Sequence, residues 1–297
     1  MPNLLDIRRR IKSVKNTQQI TKAMKMLSAA KLKRAQDTVV AARPFANKMM
    51  EVLGDLASRT DENFSHPLLD ARGDERYLVI LITADKGLAG AFNTNLIKAA
   101  QAFMREHEGK AIEMLPVGRK GRDFFRRRNV PFVDEYVGLT GKGRIEYSEA
   151  VEIARKVINH FEEDKELDKV FLIYNEFKSV LQQRVVIEQL LPVSRAATET
   201  AAEADAPQRP VNLTEYIYEQ PPEELFSRLL PRLVETQIFR ALLESVASEH
   251  GARMTAMDSA SKNASELLDT LTLNMNRIRQ AAITNEIIEV VSGAAAL

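Results

Sequence analysis

Long stretches at both ends of the chain favour α-helix, and they restrict the possible folds more than any other feature. Residues 3–53 contain no glycine and a single proline, Pro44. Near the other end, apolar residues recur at spacings of three and four, the period of a coiled-coil seam: Leu268, Leu271, Met275, Ile278 and Ala282. A helix over 222–291 would be about 100 Å long, too long to be buried within one compact domain. Such a helix must pair with the amino-terminal helix, extend into another molecule, or do both.

The amino-terminal stretch has an apolar side of its own. Its first members at helical spacing are Leu4, Ile7, Ile11 and Val14, and an apolar stripe of smaller residues continues through Ile20, Ala23, Leu27 and Ala30. Residues at these spacings share one side of a helix. The pattern therefore predicts a helix over 1–60 with one continuous apolar stripe.

The middle of the chain, residues 75–193, alternates between patterns of strand and helix. Short runs of β-branched and other apolar residues predict buried strands, strongest at Tyr77–Thr83 and Lys169–Tyr174 and weaker at Ala111–Val117 and Val130–Val137. Helical patterns occupy about 93–107, 119–128 and 147–163. Such alternation is typical of a mainly parallel sheet covered by helices, so we expect an α/β domain here.

The chain that follows this domain carries weaker signals. Val185–Leu190 is predicted to be an edge strand or part of a hairpin, and Thr214–Tyr218 a last strand. Residues 194–210 are rich in Ala, Thr, Glu and Pro and show no periodicity, which predicts a flexible surface loop. The carboxy-terminal helix is expected over 222–297.

Charge is balanced in total but not along the chain. Lys and Arg number 42 against 41 Asp and Glu. Residues 1–60 nevertheless hold 13 basic and four acidic side chains, a surplus of nine, whereas residues 222–297 hold seven basic and ten acidic ones. The two ends could attract each other or face different partners.

Composition excludes several classes of site. Because the chain has no cysteine, it forms no disulfide, thiolate zinc site or iron–sulfur cluster and has no cysteine nucleophile. No apolar run approaches the roughly 18 residues of a membrane-spanning helix, and the first residues lack the apolar core of a secretory signal. We therefore expect a cytosolic protein, or one held at a membrane by its partners.

The best candidate for chemistry is the segment Thr83–Asn93, directly after the strongest strand. A glycine turn between a strand and a helix often binds phosphate, and Asp85 with Lys86 could form a catalytic pair. However, Gly87-Leu-Ala-Gly90 matches neither the dinucleotide pattern nor a P-loop, so we prefer a structural turn. The four histidines are scattered without ligand-like spacing. We expect no catalytic residue, no cofactor and no metal, and an enzyme that uses this turn is an alternative.

Basic residues leave a nucleic-acid-binding adaptor as the main competing hypothesis. They occur along the amino-terminal helix and in a second cluster, Gly118–Arg122 with Arg126–Arg128. Against this hypothesis, residues 1–44 contain no aromatic side chain on which a base could stack, and no recognition motif is present.

Three separated segments resemble the corresponding parts of one protein family. Arg9–Met26 reads RRIKSVKNTQQITKAMKM, Thr83–Asn93 follows the first strand, and Ile283–Ala296 reads ITNEIIEVVSGAAA. In this order they resemble the opening, the first turn and the carboxy-terminal signature of the gamma subunits of F-type rotary ATP synthases. The resemblance covers essentially the whole chain.

This resemblance implies a fold and a set of partners. The fold would be of the α/β class, a long antiparallel coiled coil of the N- and C-terminal helices plus a central Rossmann-like α/β domain. The function would be that of a non-catalytic central-stalk rotor in a proton-driven ATP synthase, peripheral at the cytoplasmic face of a bacterial cell membrane. Its partners would be the alpha and beta subunits of the catalytic hexamer, the epsilon subunit and the membrane c-ring, with membrane contact only through the complex and no nucleic acid.

The resemblance also implies residues that contact the ring of alpha and beta subunits. Met24 matches such a position in the first helix, and four residues match near the carboxyl end: Arg279, Gln280, Thr284 and Glu286. From the residues alone, each could instead lie in the coiled-coil seam or face solvent. The family's chloroplast members carry a regulatory insertion with two cysteines, and thiol regulation of that kind is excluded here because cysteine is absent.

Overall fold

The computed structural model describes residues 4–59, 64–142, 144–180, 182–193 and 219–295. The chain divides into two compact units, Met1–Ala29 with Arg253–Leu297 and Ala30–Ala252. We call the first unit the helix pair and the second the α/β unit. The predicted loop 194–210 and the predicted strand Thr214–Tyr218 lie outside the described residues.

The described residues form five α-helices and four β-strands. The helices are α1 (Leu4–Arg59), α2 (Phe92–Glu106), α3 (Arg119–Arg126), α4 (Tyr147–Glu163) and α5 (Pro222–Ala295). The strands are β1 (Arg76–Ile82), β2 (Ala111–Val117), β3 (Lys169–Phe177) and β4 (Gln183–Leu191). The long terminal helices and the alternating centre are therefore confirmed. None of the described helices combines the length and apolar content needed to span a lipid bilayer.

The strands form one mixed sheet in the order β2-β1-β3-β4. Strand β1 pairs in parallel with β2 and β3, and β4 pairs with β3 in the antiparallel direction. This arrangement confirms the mainly parallel sheet and the hairpin predicted around Val185–Leu190. Strand β1 is central, and its residues 77–82 are at most 2% exposed, as expected for an apolar strand covered on both faces.

The prediction of a strand at Val130–Val137 was wrong. Only Phe132 and Tyr136 make isolated bridges, to Met114 and Val117 of β2. Pro131 has no amide hydrogen to donate to a ladder, and the amide of Glu135 donates to the neighbouring side chain of Asp134 at 2.8 Å. A local side-chain hydrogen bond thus competes with strand pairing.

The core of the α/β unit joins the sheet to its helices. Tyr77, Val79 and Leu81 of β1 pack in one buried cluster with apolar residues of α2, namely Phe92, Leu96, Ala100 and Phe103. Polar contacts tie α5 to the same unit: the Tyr147 hydroxyl donates to Glu235 at 2.9 Å and the amide of Phe177 donates to Glu244 at 2.9 Å. These contacts attach the first part of α5 to α4 and to the end of β3.

The helix pair consists of the first part of α1 and the second part of α5. The hydroxyls of Thr21 and Ser261 lie 2.7 Å apart, and Nζ of Lys25 lies 2.6 Å from a carboxylate oxygen of Asp258. Because residue numbers rise along α1 while they fall along α5, the two helices are antiparallel, as predicted. At equal rise per residue, this register places Leu4 level with about residue 278.

Candidate partner-binding surface

The side of α1 that faces α5 differs from the predicted apolar stripe. Ile7 is buried, and the seam continues through Thr21 and Ser28, which are 8% and 3% exposed. Ile20 and Leu27 are both 59% exposed, so their placement on one continuous stripe with Ile7 was wrong. The missed signal is the seven-residue repeat of Ile7, Val14, Thr21 and Ser28, which is the period of a coiled coil.

The seam of α5 follows the prediction more closely. Its buried members Met257, Ser261 and Ala264 continue at the same spacing into the half-buried residues Leu268, Leu271, Met275 and Ile278. Ala282 is exposed, which corrects its predicted seam position. Ala282 lies past the level of Leu4, the first described residue of α1, which is level with about residue 278.

Met24 lies on an apolar side of α1 that does not belong to this seam. Ile20, Met24 and Leu27 are spaced by four and three residues and therefore share one side of the helix. Met24 is half-buried, whereas both of its neighbours on that side are mostly exposed. The structure thus places Met24 within an outward-facing apolar stripe, which we call the α1 patch.

The end of α5 is exposed all round. Residues 279–292 are exposed without exception, and the other four predicted contact residues lie among them. The Thr284 hydroxyl donates to the carbonyl of Gln280 at 2.9 Å, so its own helix satisfies that polar group. Sequence reasoning did not single out the large exposed apolar side chains among and after these four residues, which are Ile283, Ile287, Ile288, Val290 and Val291.

Most of these side chains share one half of the helix. With 3.6 residues per turn, Arg279, Ile283, Glu286 and Val290 fall within about 60° of one another, and Gln280, Thr284, Ile287 and Val291 occupy the adjacent sector. Asn285 and Glu289 lie on the opposite side. We call the first two groups together the α5 patch. Four of the five predicted contact residues therefore belong to one partly apolar surface.

The two patches are far apart. The Lys25–Asp258 contact places Met24 level with about residue 258 of α5. Arg279 lies 21 residues further along the same helix, which corresponds to about 30 Å. The structure therefore does not bring Met24 together with the other predicted contact residues.

The turn after β1 is held together by Asp85. Its carboxylate accepts four hydrogen bonds, from the amides of Arg119, Gly138 and Gly141 at 2.9–3.1 Å and from the Thr140 hydroxyl at 3.0 Å. Burial alone would raise the pKa of Asp85, but these four donors outweigh it and lower the pKa below its usual value. A carboxylate occupied in this way connects three segments of chain, which supports the structural interpretation of the turn.

Three of the six basic side chains in the second cluster make contacts within the α/β unit. Arg122 forms ion pairs with Asp123 at 2.7 Å and with Glu135 at 3.5 Å, and Arg126 also pairs with Glu135. The guanidinium of Arg128 lies 3.6 Å from the centre of the Phe124 ring. These contacts give the arginines local roles and reduce the charge available for a nucleic acid.

Comparison with known proteins agrees with this architecture. A family model described as ATP synthase matches residues 3–297. The chain is 54% identical to the ATP synthase gamma chain of Solibacter usitatus, covering 100% of this chain and 99% of that one. It is 51% identical to the gamma chain of Geotalea daltonii, covering 99% and 98%.

Solved structures share the fold. A chain of the Tetrahymena thermophila mitochondrial ATP synthase, from its central stalk and c-ring, matches with a TM-score of 0.58 at 26% identity, over 82% of this chain and 99% of that one. A chain of the Euglena gracilis mitochondrial ATP synthase matches with a TM-score of 0.67 at 20% identity, over 99% and 94%. From the family match and the identity to these bacterial relatives, we conclude that the chain belongs to the family of ATP synthase gamma chains, which are subunits of ATP synthase.

Proposed function

We propose that this gamma chain is the non-catalytic rotor of a proton-driven bacterial ATP synthase, and that its helix pair turns inside the ring of alpha and beta subunits. The observation that carries the proposal is the uneven surface of α5 after residue 278. One half of this surface carries Ile283, Ile287 and Val290, and the other carries Asn285 and Glu289 together with Ile288. An uneven rotor presents a different surface to each subunit around it.

Such a surface can drive conformational change through contact energy alone. A partner shifts a conformational equilibrium only by the difference in its contact free energy with the two states. A beta subunit that meets the apolar half of α5 therefore has a different preferred conformation from one that meets Asn285 and Glu289. As the helix turns, each catalytic subunit passes through these conformations in sequence.

Both patches serve as ring contacts in this proposal. Met24 contacts the ring through the α1 patch, and Arg279, Gln280, Thr284 and Glu286 contact it through the α5 patch. An exposed apolar surface rimmed by polar groups is typical of an interaction site. The alternating apolar and charged side chains of the α5 patch fit this description.

We assign the remaining parts of the complex by the same proposal. Residues 1–60 and 222–297 form the stalk, and residues 75–193 form the foot that meets the epsilon subunit and the membrane c-ring. The Tetrahymena chain that resembles this one belongs to a central stalk solved together with a c-ring. The complex lies at the cytoplasmic face of the cell membrane, and this chain reaches the membrane only through its partners.

Affinity purification of the tagged full chain tests the proposal. We expect a large ATPase with three copies each of two partner subunits to co-purify, and inverted membrane vesicles from the same cells to pump protons when ATP is added. Recovery of the chain without such partners would contradict the proposal. Tight DNA binding with a steep salt dependence, the mark of phosphate contacts, would instead support the adaptor hypothesis.

A further inference from the structure

A polar cluster crosses the seam of the helix pair at the level of Met24. Thr21 and Lys25 lie one turn apart on α1, and their partners Ser261 and Asp258 lie one turn apart on α5. We propose that these four residues, which we call the register clamp, fix the axial register of the two helices and thereby position Met24 relative to the α5 patch. The inference rests on the proposed function, because it concerns how two ring-contacting surfaces are held at a set separation.

The small side chains of this seam specify register weakly. Ser28 and Ala264 are buried there, and such small side chains make shallow knobs. In a repeating seam, a shift by one turn or one heptad places similar residues opposite each other. A buried polar pair distinguishes the correct register, because any other register separates its members.

The interhelical hydrogen bond of the hydroxyl pair forms only in the observed register. Ser261 Oγ lies 2.9 Å from the carbonyl oxygen of Met257, and Thr21 Oγ1 lies 3.0 Å from that of Gln18. One hydroxyl donates to the other, which in turn donates to the carbonyl of its own helix. Both side chains are buried. A shift along the axis therefore removes one hydrogen bond at a site where water does not readily take the place of the lost partner.

The ion pair resists a shift in either direction. Asp258 also lies 3.2 Å from Nζ of Lys262 on its own helix, and these two cations hold the pKa of Asp258 below its usual value. A shift of one turn toward Lys262 would bring Lys25 opposite that second cation. A shift of one turn the other way would bring Lys25 opposite the apolar Met254. The observed register is thus the one in which Lys25 meets a carboxylate.

The consequence concerns the distance between the two patches. Met24 and Arg279 are separated by about 30 Å along the helix pair, and a shift of one turn changes this separation by about 5 Å. Because both patches contact one ring, a changed separation prevents them from engaging their partners at the same rotor angle. Lys25, Asp258, Thr21 and Ser261 are therefore positioning residues for torque transfer.

A charge-swap cycle in the assembled complex tests the clamp. The variants are Lys25→Asp, Asp258→Lys and the double swap, with Gln19→Asp as a control that adds an aspartate at an exposed position of α1 away from the seam. Because the chain has no cysteine, spin labels on Ser13→Cys and Thr270→Cys report the register directly. These two positions are exposed and nearly level in the observed register.

We expect each single variant to shift the distance between the two spin labels, which we call the label distance, or to broaden its distribution, by about 5 Å. We expect it also to lower the rate of ATP-driven proton pumping by about two- to fivefold, the size that corresponds to the loss of a partly exposed ion pair. The double swap restores both quantities, and Gln19→Asp changes neither. Thr21→Val combined with Ser261→Ala keeps the volume of the seam and broadens the label distance without unfolding the chain.

Two outcomes overturn the inference without touching the proposed function. An unchanged label distance in both single variants shows that these residues do not set the register. A changed distance with undiminished pumping shows that the register does not position the patches. Failure of the unmodified chain to assemble with a ring of partners would instead overturn the proposed function.

Discussion

The α/β unit and the helix pair place their apolar side chains in opposite ways. In the α/β unit, residues 77–82 of strand β1 are buried. In the helix pair, Ile20, Leu27 and Ile287 are exposed, while hydroxyl and charged groups occupy part of the seam. The difference teaches that the first unit is stabilised by its own core, whereas the second leaves apolar surface exposed, as is typical of an interaction site. Substitutions in the two regions should therefore affect different measurements.

The largest effect on stability is expected from Phe161→Ala in α4. The Phe161 side chain is fully buried, and the guanidinium of Arg72 lies 4.0 Å from its ring centre. Removing a buried aromatic ring should lower the free energy of unfolding by about 3–5 kcal/mol. Urea denaturation of the full chain, followed by circular dichroism, measures this change. Ile287→Ala is the control, expected to stay within about 0.5 kcal/mol, and equal effects in both variants would refute the contrast.

A somewhat smaller effect is expected from Gly118→Ala, at the start of α3. Gly118 has φ of +101°, and an added Cβ would collide with the carbonyl oxygen of Thr83. Backbone strain and this collision together should lower the free energy of unfolding by about 2–4 kcal/mol. Gly109→Ala is a matched control, since φ is +102° there but nothing lies within 4 Å of the added atom. Thermal unfolding of both variants should show the larger loss at Gly118, and equal losses would mean that the collision is relieved.

Asp85→Asn is expected to lower the free energy of unfolding by about 1–3 kcal/mol, because an amide group cannot accept all the hydrogen bonds that the carboxylate accepts. The pKa of Asp85 is lowered in the folded chain. Its stabilising contribution is therefore present above the unfolded pKa of about 3.9 and is lost as pH falls through the lower folded pKa. Urea denaturation at several pH values should show the two proteins converging below about pH 4. If the difference in stability between the two proteins stayed unchanged in acid, the ionised carboxylate of Asp85 would not be the source of the stabilisation.

The smallest effect on stability, with a clear effect on activity, is expected from Ile287→Asn. This side chain is 57% exposed, so the free energy of unfolding should change by no more than about 0.5 kcal/mol. Under the proposed function Ile287 contacts the ring, and loss of this apolar contact should lower ATP synthesis by vesicles about fivefold. Glu289→Gln, on the opposite side of α5, serves as the comparison and should have a weaker effect. If Glu289→Gln were the more damaging change, the apolar half of α5 would not be the main contact.

Local pattern was enough to predict most elements of this fold. The apolar run at Tyr77–Thr83 became the central strand, and the spacing of Leu268 to Ile278 became the seam of α5. The failed strand at Val130–Val137 had similar composition, but Pro131 and the side chain of Asp134 interrupt its pairing. Whether an amide donates to a nearby side chain or to a neighbouring strand depends on the acceptors around it in the fold. Composition alone does not show which acceptor is chosen.

The candidate surface was predicted only in part, for a related reason. Four contact residues came from resemblance to a family: Arg279, Gln280, Thr284 and Glu286. The exposed apolar residues among and after them were missed because apolar side chains at helical spacing usually indicate a core. Asp85 was recognised as part of a turn, yet its hydrogen-bond donors lie at Arg119 and at residues 138–141, far along the chain.

The sequence by itself determined the long helices, the alternating centre and the absence of cysteine chemistry, because each follows from the order of residues over a few turns. Only the tertiary structure decided which side of α1 meets α5. Ile20 and Leu27 have the stronger apolar pattern, but the seam contains Thr21 and Ser28, which are small and form part of a seven-residue repeat. The choice depends on how closely two helices approach and on which polar groups find partners across the gap, and both are properties of the pair rather than of either helix.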